Sequence, residues 1–271
     1  MRKISAALLA LALVVAGCGD DDEPTDEGAG DGELELQEEG VLTVGTELPA
    51  PPFWIGDDYE SIEGGFEVDL AQAIAGHLGI PEVRYVEMPF AGLVAGQECP
   101  CDINFSQVTI TGDRAEVVDF TVPYFDADQG VLAGPDIAIE TIDDAKAIQW
   151  GAQTNTTGAS FITDTIQPDN EPRIFPTTID AFTALNAGQI DAVLLDVPIV
   201  LGAVQAGQVG DAEVVAQFRT GEQYGAVLAK DSPNTAVFDE AIEALRADGV
   251  ISDLLEEYFG ADPADIPVID V

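Results

Sequence analysis

The sequence has few of the side chains on which most catalytic and nucleic-acid-binding sites depend. Its 271 residues include one histidine, three cysteines and nine lysines and arginines together, against 51 aspartates and glutamates. The scarcity of Lys and Arg excludes nucleic acid as a partner, because phosphate binding needs clustered cations. His77 lies in a predicted helix and is expected to be structural, so histidine-based acid–base chemistry and catalytic triads lack their raw material. The net charge of −42 favours solubility and repels anions at long range.

Cysteine is equally scarce in the body of the chain. Cys99 and Cys101 form a C-x-C pair, which we expect to be too close for an easy disulfide. The sequence has no second cysteine pair and no histidine cluster that could complete a zinc site. We therefore predict no metal site and no cofactor.

The N-terminal apolar run, 4–16, is too short to span a bilayer as a helix, which takes roughly 20 residues. It follows Arg2 and Lys3 and has the pattern of a secretory signal, so residues 1–17 are predicted to be a cleaved signal peptide. The run ends in VAGC, which resembles a bacterial lipobox and implies a lipid on Cys18. The alternative is a plain signal with an incidental cysteine. The acidic segment 18–40 then reads as a flexible tether, which places the protein outside the cytoplasm and anchored to the cell membrane.

The body alternates strands and helices, as α/β layers do. GFEVDLAQAIAGHLGIP predicts a helix with Leu70, Ala71, Ile74 and Leu78 on one face. The other predicted strands are LTVG, RYVEM, INFSQ, IQWGA, AVLL and YGAVLA, and the other predicted helices are TIDAFTALNAG and two segments near the C terminus. With 46 % apolar residues the chain can bury a substantial core. The order of elements indicates two α/β lobes in succession, with a C-terminal segment that returns.

Several motifs carry a family resemblance. GFEVDLAQAIAGHL resembles the signature helix of the family 3 extracellular solute-binding proteins, the polar amino-acid receptors of ABC importers. The similarity continues in order through TITGDR, VDFTVPYF, QTNTTG, GQIDAVLLD, EQYGAVLAKDSP and DGVISDLLEEYFG. It covers 41–260, essentially the whole folded body.

The resemblance implies the type II periplasmic-binding-protein fold: α/β, with two Rossmann-like lobes joined by two crossing hinge segments. The crossings are expected near Tyr124–Asp128 and Thr220–Tyr224. The predicted boundaries are 41–126 and 223–262 for lobe 1, 127–222 for lobe 2, and 263–271 for a C-terminal tail.

The resemblance also implies a clamp for a zwitterion in the cleft between the lobes. Arg114, in T-x-T-x-x-R, would grip the α-carboxylate of a ligand with its planar fork, near the Thr109 hydroxyl. The amides of Thr156 and Thr157 would meet the same carboxylate at the start of a helix. Asp196, at the end of a strand in the other lobe, would accept the ligand ammonium.

Each of these roles has a simpler alternative. Arg114 between Asp113 and Glu116 could be a solvated surface ion pair. Asp196 could cap the following helix, which has Pro198 in its first turn. Asn155 replaces the glycine that relatives carry in the TNTTG loop, but Asn tolerates the left-handed backbone well.

The pocket for the ligand side chain is predicted at positions matched to the family pattern. These are Glu47, Phe90 and Ala50, with Gln153 and Leu195 completing the rim. Gln107 is a further predicted ligand-binding residue. Glu47 argues against an acidic ligand, because a second carboxylate would have no cation to pair with. The resemblance therefore implies a monomeric receptor that captures a neutral polar or cationic amino acid and delivers it to an ABC permease.

Two other functional classes stay open at this stage. One is an exported dehydratase of the cyclohexadienyl or arogenate type on the same fold, with Glu47 or Glu222 as proton donor. The other is a sensory or adhesion lipoprotein that uses the fold as a scaffold.

Overall fold

The computed structural model describes residues 34–56, 58–260 and 266–270. The predicted signal peptide, the lipidation site Cys18 and most of the tether lie outside these residues. None of the described helices is both long enough and apolar enough to cross a membrane.

The described chain forms two α/β lobes, each built on a five-stranded mixed sheet. In chain order the elements are β1 (Val41–Thr46), α1 (Phe66–His77), β2 (Glu82–Glu87), α2 (Phe90–Val94), β3 (Ile103–Asn104), α3 (Gly112–Ala115), β4 (Val118–Phe120), β5 (Phe125–Ala133), α4 (Ile142–Lys146), β6 (Trp150–Gln153), α5 (Thr157–Phe161), a π-helical turn (Ile162–Ile166), β7 (Arg173–Phe175), α6 (Thr178–Asn186), β8 (Ala192–Asp196), α7 (Val197–Gln205), β9 (Glu213–Tyr224), β10 (Val227–Ala229), α8 (Thr235–Ala247) and α9 (Val250–Phe259).

The first sheet has the strand order β2-β1-β3-β10-β4, and the second has the order β7-β6-β8-β5-β9. In the first, β1 is parallel to both β2 and β3, while β10 returns antiparallel from late in the chain. In the second, β6 is parallel to β7 and β8, and β5 is antiparallel to β8 and β9. The α/β class and the two-lobe architecture predicted from the sequence are confirmed.

Helix α1 shows why the amphipathic prediction holds. Leu70, Ala71 and Ile74 are fully buried in the core of the first lobe, as their spacing predicts. Gly79, just beyond the helix, has φ +70°, the left-handed conformation that favours glycine after a helix end. His77, in the last turn of α1, is exposed.

The two lobes are joined by β5 and β9, which pair antiparallel from Phe125 opposite Tyr224 to Ala133 opposite Glu213. The pairing is irregular between Ala127 and Gln129, where one strand bulges. Aromatic rings pack around the first-lobe end of the two strands: Phe53, Phe66, Phe125, Tyr224 and Phe259. The crossings therefore pack against an aromatic cluster on their first-lobe side.

Residues 266–270, within the predicted tail, lie along β9 in the second lobe. The amide of Gln217 donates to the Pro267 carbonyl at 2.8 Å, and the amide of Ile269 donates to the Gln217 carbonyl at 2.9 Å. Ile269 is 4 % exposed and belongs to the second-lobe core.

Two local expectations are wrong. INFSQ forms a strand only over Ile103–Asn104, because the chain leaves the sheet and Gln107 takes φ +50°. Cys99 and Cys101 are joined by a disulfide, although we expected the pair to be too close. The chain bends at Pro100, which leaves the two Cα atoms 5.1 Å apart, within the normal range for disulfides. The sulfurs pack over Gly45, where a Cβ would lie 2.9 Å and 3.0 Å from them.

Candidate functional site

A cavity of about 270 Å³ lies between the two lobes. All nine predicted ligand-binding residues line it: Glu47, Phe90, Gln107, Thr109, Arg114, Gln153, Thr156, Thr157 and Asp196. Ala50 and Leu195, also predicted for the pocket, line it as well. Contact of these side chains with a ligand stays a prediction, but their convergence on one cavity is a structural fact.

Arg114 is placed by α3, whose first turn is capped when the Thr111 hydroxyl accepts from the Arg114 amide at 3.3 Å. Its guanidinium donates through Nη1 to the Thr109 carbonyl at 2.7 Å and through Nη2 to the Asn155 carbonyl at 2.9 Å. It also lies 5.4 Å from the centre of the Phe90 ring, a cation–π distance. The two carbonyls belong to different lobes, so Arg114 already links them.

Arg114 is not a surface residue, since it is only 9 % exposed. Among the described residues no carboxylate lies within ion-pair distance of it, which argues against the surface-pair alternative. Burial lowers the pKa of Arg114, and the negative charges of Asp196 and Glu222 oppose that effect. The guanidinium is therefore a partly desolvated cation facing two carboxylates.

Asp196 ends β8 and stands at the N-cap position of α7. Its side chain makes no capping bond; instead Gln129 Nε2 donates to Oδ1, and the Tyr224 hydroxyl donates to Oδ2 at 2.6 Å. Burial, followed by the charge of Glu222, raises the pKa of Asp196 to about 7. The carboxyl group is thus held towards the crossing strands rather than used to cap the helix.

Glu222, on the crossing strand β9, bonds both lobes. Its Oε2 accepts from the Thr109 hydroxyl at 2.9 Å and from the Thr157 hydroxyl at 2.7 Å. Gln129 Nε2 lies 3.2 Å and 3.3 Å from its two oxygens. One amide nitrogen therefore contacts the carboxylates of both Glu222 and Asp196.

Glu47 makes a third contact between the lobes. It accepts from the Phe90 amide at 2.9 Å and from Gln153 Nε2 at 2.8 Å. Gln153 is held in turn by the Thr178 hydroxyl, which donates to its Oε1 at 2.6 Å. Gln153, from the second lobe, thus orients the acid that is predicted to face the ligand side chain.

Gln107 lines the cavity, but its side-chain amide is hydrogen-bonded to Glu67. Its Nε2 donates to Glu67 Oε2 at 2.5 Å, and its backbone amide donates to Glu67 Oε1 at 3.0 Å. Glu67 is fully buried and also accepts from Trp54 and Tyr124. Burial raises the pKa of Glu67. This network fixes the loop that carries Thr109 into the cavity.

Sequence reasoning missed the roles of Gln129 and Tyr224, and it considered Glu222 only as a proton donor. EQYG is part of the EQYGAVLAKDSP motif, but nothing in its spacing indicates that Glu222 accepts from two hydroxyls on distant segments. In the described part of the chain, no group of three or more His, Cys, Asp or Glu side chains could hold a metal ion. The cavity is instead suited to binding a small charged molecule.

Comparison with known proteins gives a consistent result. Residues 42–261 match the model of the bacterial extracellular solute-binding proteins, family 3. The L-cystine-binding protein TcyJ of Escherichia coli K12 is 30 % identical over 232 residues, covering 84 % of this chain and 85 % of that protein. The glutamate-binding protein GluB of Corynebacterium efficiens is 28 % identical over 291 residues, covering 98 % of this chain and 95 % of that protein.

A solved structure shares the fold over nearly the same region. An ancestral arginine-binding protein bound to glutamine superposes with a TM-score of 0.74 at 30 % identity, covering 83 % of this chain and 100 % of that one. The names of these two relatives and of this structure refer to binding of different amino acids.

Proposed function

Since this chain belongs to the bacterial extracellular solute-binding proteins, family 3, we propose that it captures an amino acid outside the cytoplasm and delivers it to an ABC-type importer. The observation that carries the proposal is the placement of Arg114 and Asp196 on opposite lobes around one cavity. A cation and a carboxylate facing one small space suit a zwitterion. No cofactor is needed for such a role.

The proposed pose follows from donor and acceptor chemistry. The ligand carboxylate lies against Arg114, whose guanidinium has five N–H donors and spends two on backbone carbonyls. The ligand ammonium lies against Asp196, whose oxygens are held in place by Gln129 and Tyr224. Because the two charges come from different lobes, a bound zwitterion stabilises their closure.

The charges around the cavity favour a neutral polar or cationic ligand over an acidic one. Glu47 and Asp196 are the carboxylates that line the cavity, and Arg114 is the single cation among the described lining residues. Glu222 lies behind the Thr109 and Thr157 hydroxyls. A zwitterion that pairs with Arg114 and Asp196 leaves Glu47 for the ligand side chain. A second ligand carboxylate would meet Glu47 without a counter-charge.

The proposed location is the outer face of the cell membrane, reached by export and held by a lipid on Cys18. The acidic tether 18–40 would separate the receptor from the bilayer. We propose that the receptor acts as a monomer, one copy docking on the permease. These statements rest on the sequence, because residues 1–33 lie outside the described structure.

The comparisons do not favour the dehydratase alternative over the receptor. The matched relatives are named for binding cystine and glutamate, and the matched structure for binding arginine. A receptor returns its ligand unchanged, whereas a dehydratase would convert a prephenate-like substrate. Incubating the purified body with prephenate and following its loss separates the two classes.

A thermal-shift screen tests the proposed function. The purified body is melted with arginine, lysine, histidine, glutamine, cystine and glutamate. A ligand at 100 times its dissociation constant adds about 2.7 kcal/mol of apparent stability, because it binds only the folded form. The matched controls are the decarboxylated and the deaminated forms of the best ligand. The proposal requires a hit that needs both groups and fails if no amino acid shifts the melting temperature.

A further inference from the structure

Glu222 ties the two lobes together through side chains. It stands on a crossing strand, and the hydroxyls that it accepts come from segments far apart in the sequence: Thr109 in the first lobe and Thr157 in the second. Both bonds end on the same oxygen, at 2.9 Å and 2.7 Å. Both hydroxyls also belong to residues that line the cavity.

These two bonds determine whether the threonine hydroxyls can act as donors or as acceptors towards a ligand in the cavity. A hydroxyl carries one proton, and an ionised carboxylate can only accept. Once Thr109 and Thr157 have each donated to Glu222, their oxygens have lone pairs left and no proton. They can then accept from a ligand N–H but cannot donate to a ligand carboxylate.

The groups around Glu222 also favour a positively charged ligand group. Gln129 Nε2 contacts Glu222, Asp196 and the Thr157 oxygen, so its protons are used within the cluster. The negative charges of Asp196 and Glu222 are therefore close together, with a single amide between them. A positive group is the complementary partner for such a cluster.

We propose that Glu222 is a positioning residue that ties the lobes and sets the Thr109 and Thr157 hydroxyls as acceptors for the ligand ammonium. This inference rests on the proposed function for its ligand, but the tie between the lobes does not. Glu222 itself touches the hydroxyls rather than the ligand. It thereby favours closure and makes the ammonium group a condition of tight binding.

The first test uses Glu222→Gln and measures affinity by titration calorimetry for the best amino acid and for its deaminated analogue. The glutamine amide donates to one threonine, whose own proton is then free to point into the cavity. We expect affinity for the amino acid to fall roughly 10-fold or more, the range for losing a hydrogen bond to a charged group. Affinity for the analogue should change much less, so the ratio of the two affinities should shrink.

The control variant is Glu213→Gln, which removes an exposed carboxylate from the same strand. It should leave the affinity ratio at the wild-type value. Equal losses for the amino acid and its analogue in Glu222→Gln would indicate a merely structural role and overturn the proposal. If Glu222→Gln does not fold, Glu222→Asp replaces it, because it keeps the charge but is too short to reach both hydroxyls.

The second test needs no ligand and therefore separates this inference from the proposed function. Small-angle scattering of the ligand-free body compares wild type, Glu222→Gln and Glu213→Gln. We expect a larger radius of gyration for Glu222→Gln alone, because the tie between the lobes is weakened. An unchanged radius of gyration in Glu222→Gln would show that Glu222 does not hold the lobes together, even if the wild type binds an amino acid. If the wild type binds no amino acid, the proposed function is wrong. The scattering comparison still tests whether Glu222 holds the two lobes together.

Discussion

Asp196→Asn should make the ligand-free protein more stable at neutral pH while it weakens ligand binding. The Asp196 carboxyl group is 5 % exposed and lies near Glu222. Asparagine keeps an oxygen that accepts from Gln129, and its amide can donate to the Tyr224 hydroxyl, which also accepts. The substitution therefore removes a buried charge and leaves the hydrogen-bond partners in place.

The magnitude follows from the pKa. The pKa of Asp196 rises from its ordinary value of 3.8 to about 7 in the folded protein. Between those values the folded state binds more protons at Asp196 than the unfolded state does. The contribution of Asp196 to the free energy of unfolding therefore falls as pH rises through this window and is constant above it. At about 1.36 kcal/mol per pH unit, the full loss is about 4 kcal/mol.

Urea unfolding at several pH values from 4 to 8 measures the effect. The difference in unfolding free energy between Asp196→Asn and wild type should be small near pH 4 and grow to a few kcal/mol by pH 8. Asp211→Asn, an exposed aspartate of the same lobe, is the control and should track wild type. Parallel pH profiles for wild type and Asp196→Asn would refute the reasoning, because the buried charge would then carry no penalty.

Three further outcomes are expected. Arg114→Lys keeps the charge but loses the planar fork, so calorimetry should show binding weakened at least about 30-fold; wild-type affinity would exclude Arg114 as the carboxylate clamp. Glu47→Gln should reduce the preference for cationic over neutral amino acids in competition binding, and an unchanged preference would place side-chain selection elsewhere. Cys18→Ser should release the protein in soluble form on cell fractionation, because the tether has no other membrane-binding feature; membrane retention in high salt would contradict the lipid anchor.

Much of the fold was predictable because its signals are local. The buried face of α1 follows from a 3.6-residue period, and the glycine after it follows from a left-handed helix end. The site residues were predictable for a different reason. Short motifs such as T-x-T-x-x-R carry position as well as composition, so Arg114 and Thr109 could be assigned together and both line the cavity.

The rest depends on contacts between segments that are far apart in sequence. Glu222 is 113 residues from Thr109 and 65 from Thr157, and no local pattern records that these three meet. INFSQ has the residue types of a full strand, but beyond the pairing Gln107 takes a left-handed conformation and its backbone amide donates to Glu67 rather than to a neighbouring strand. Tertiary contacts override local propensity at both places.

The cluster at the crossing strands explains how binding and closure become one event. Closure brings Thr109 and Arg114 of the first lobe towards Thr157 and Asp196 of the second, with the Glu222 carboxylate bonded to both threonines. A ligand can shift the equilibrium only by its differential affinity for the closed form. An ammonium group supplies that difference when it contacts Asp196 in the second lobe and the Thr109 hydroxyl in the first, because only the closed form offers both. A ligand that lacks this group would bind Arg114 in the first lobe and gain little from closure.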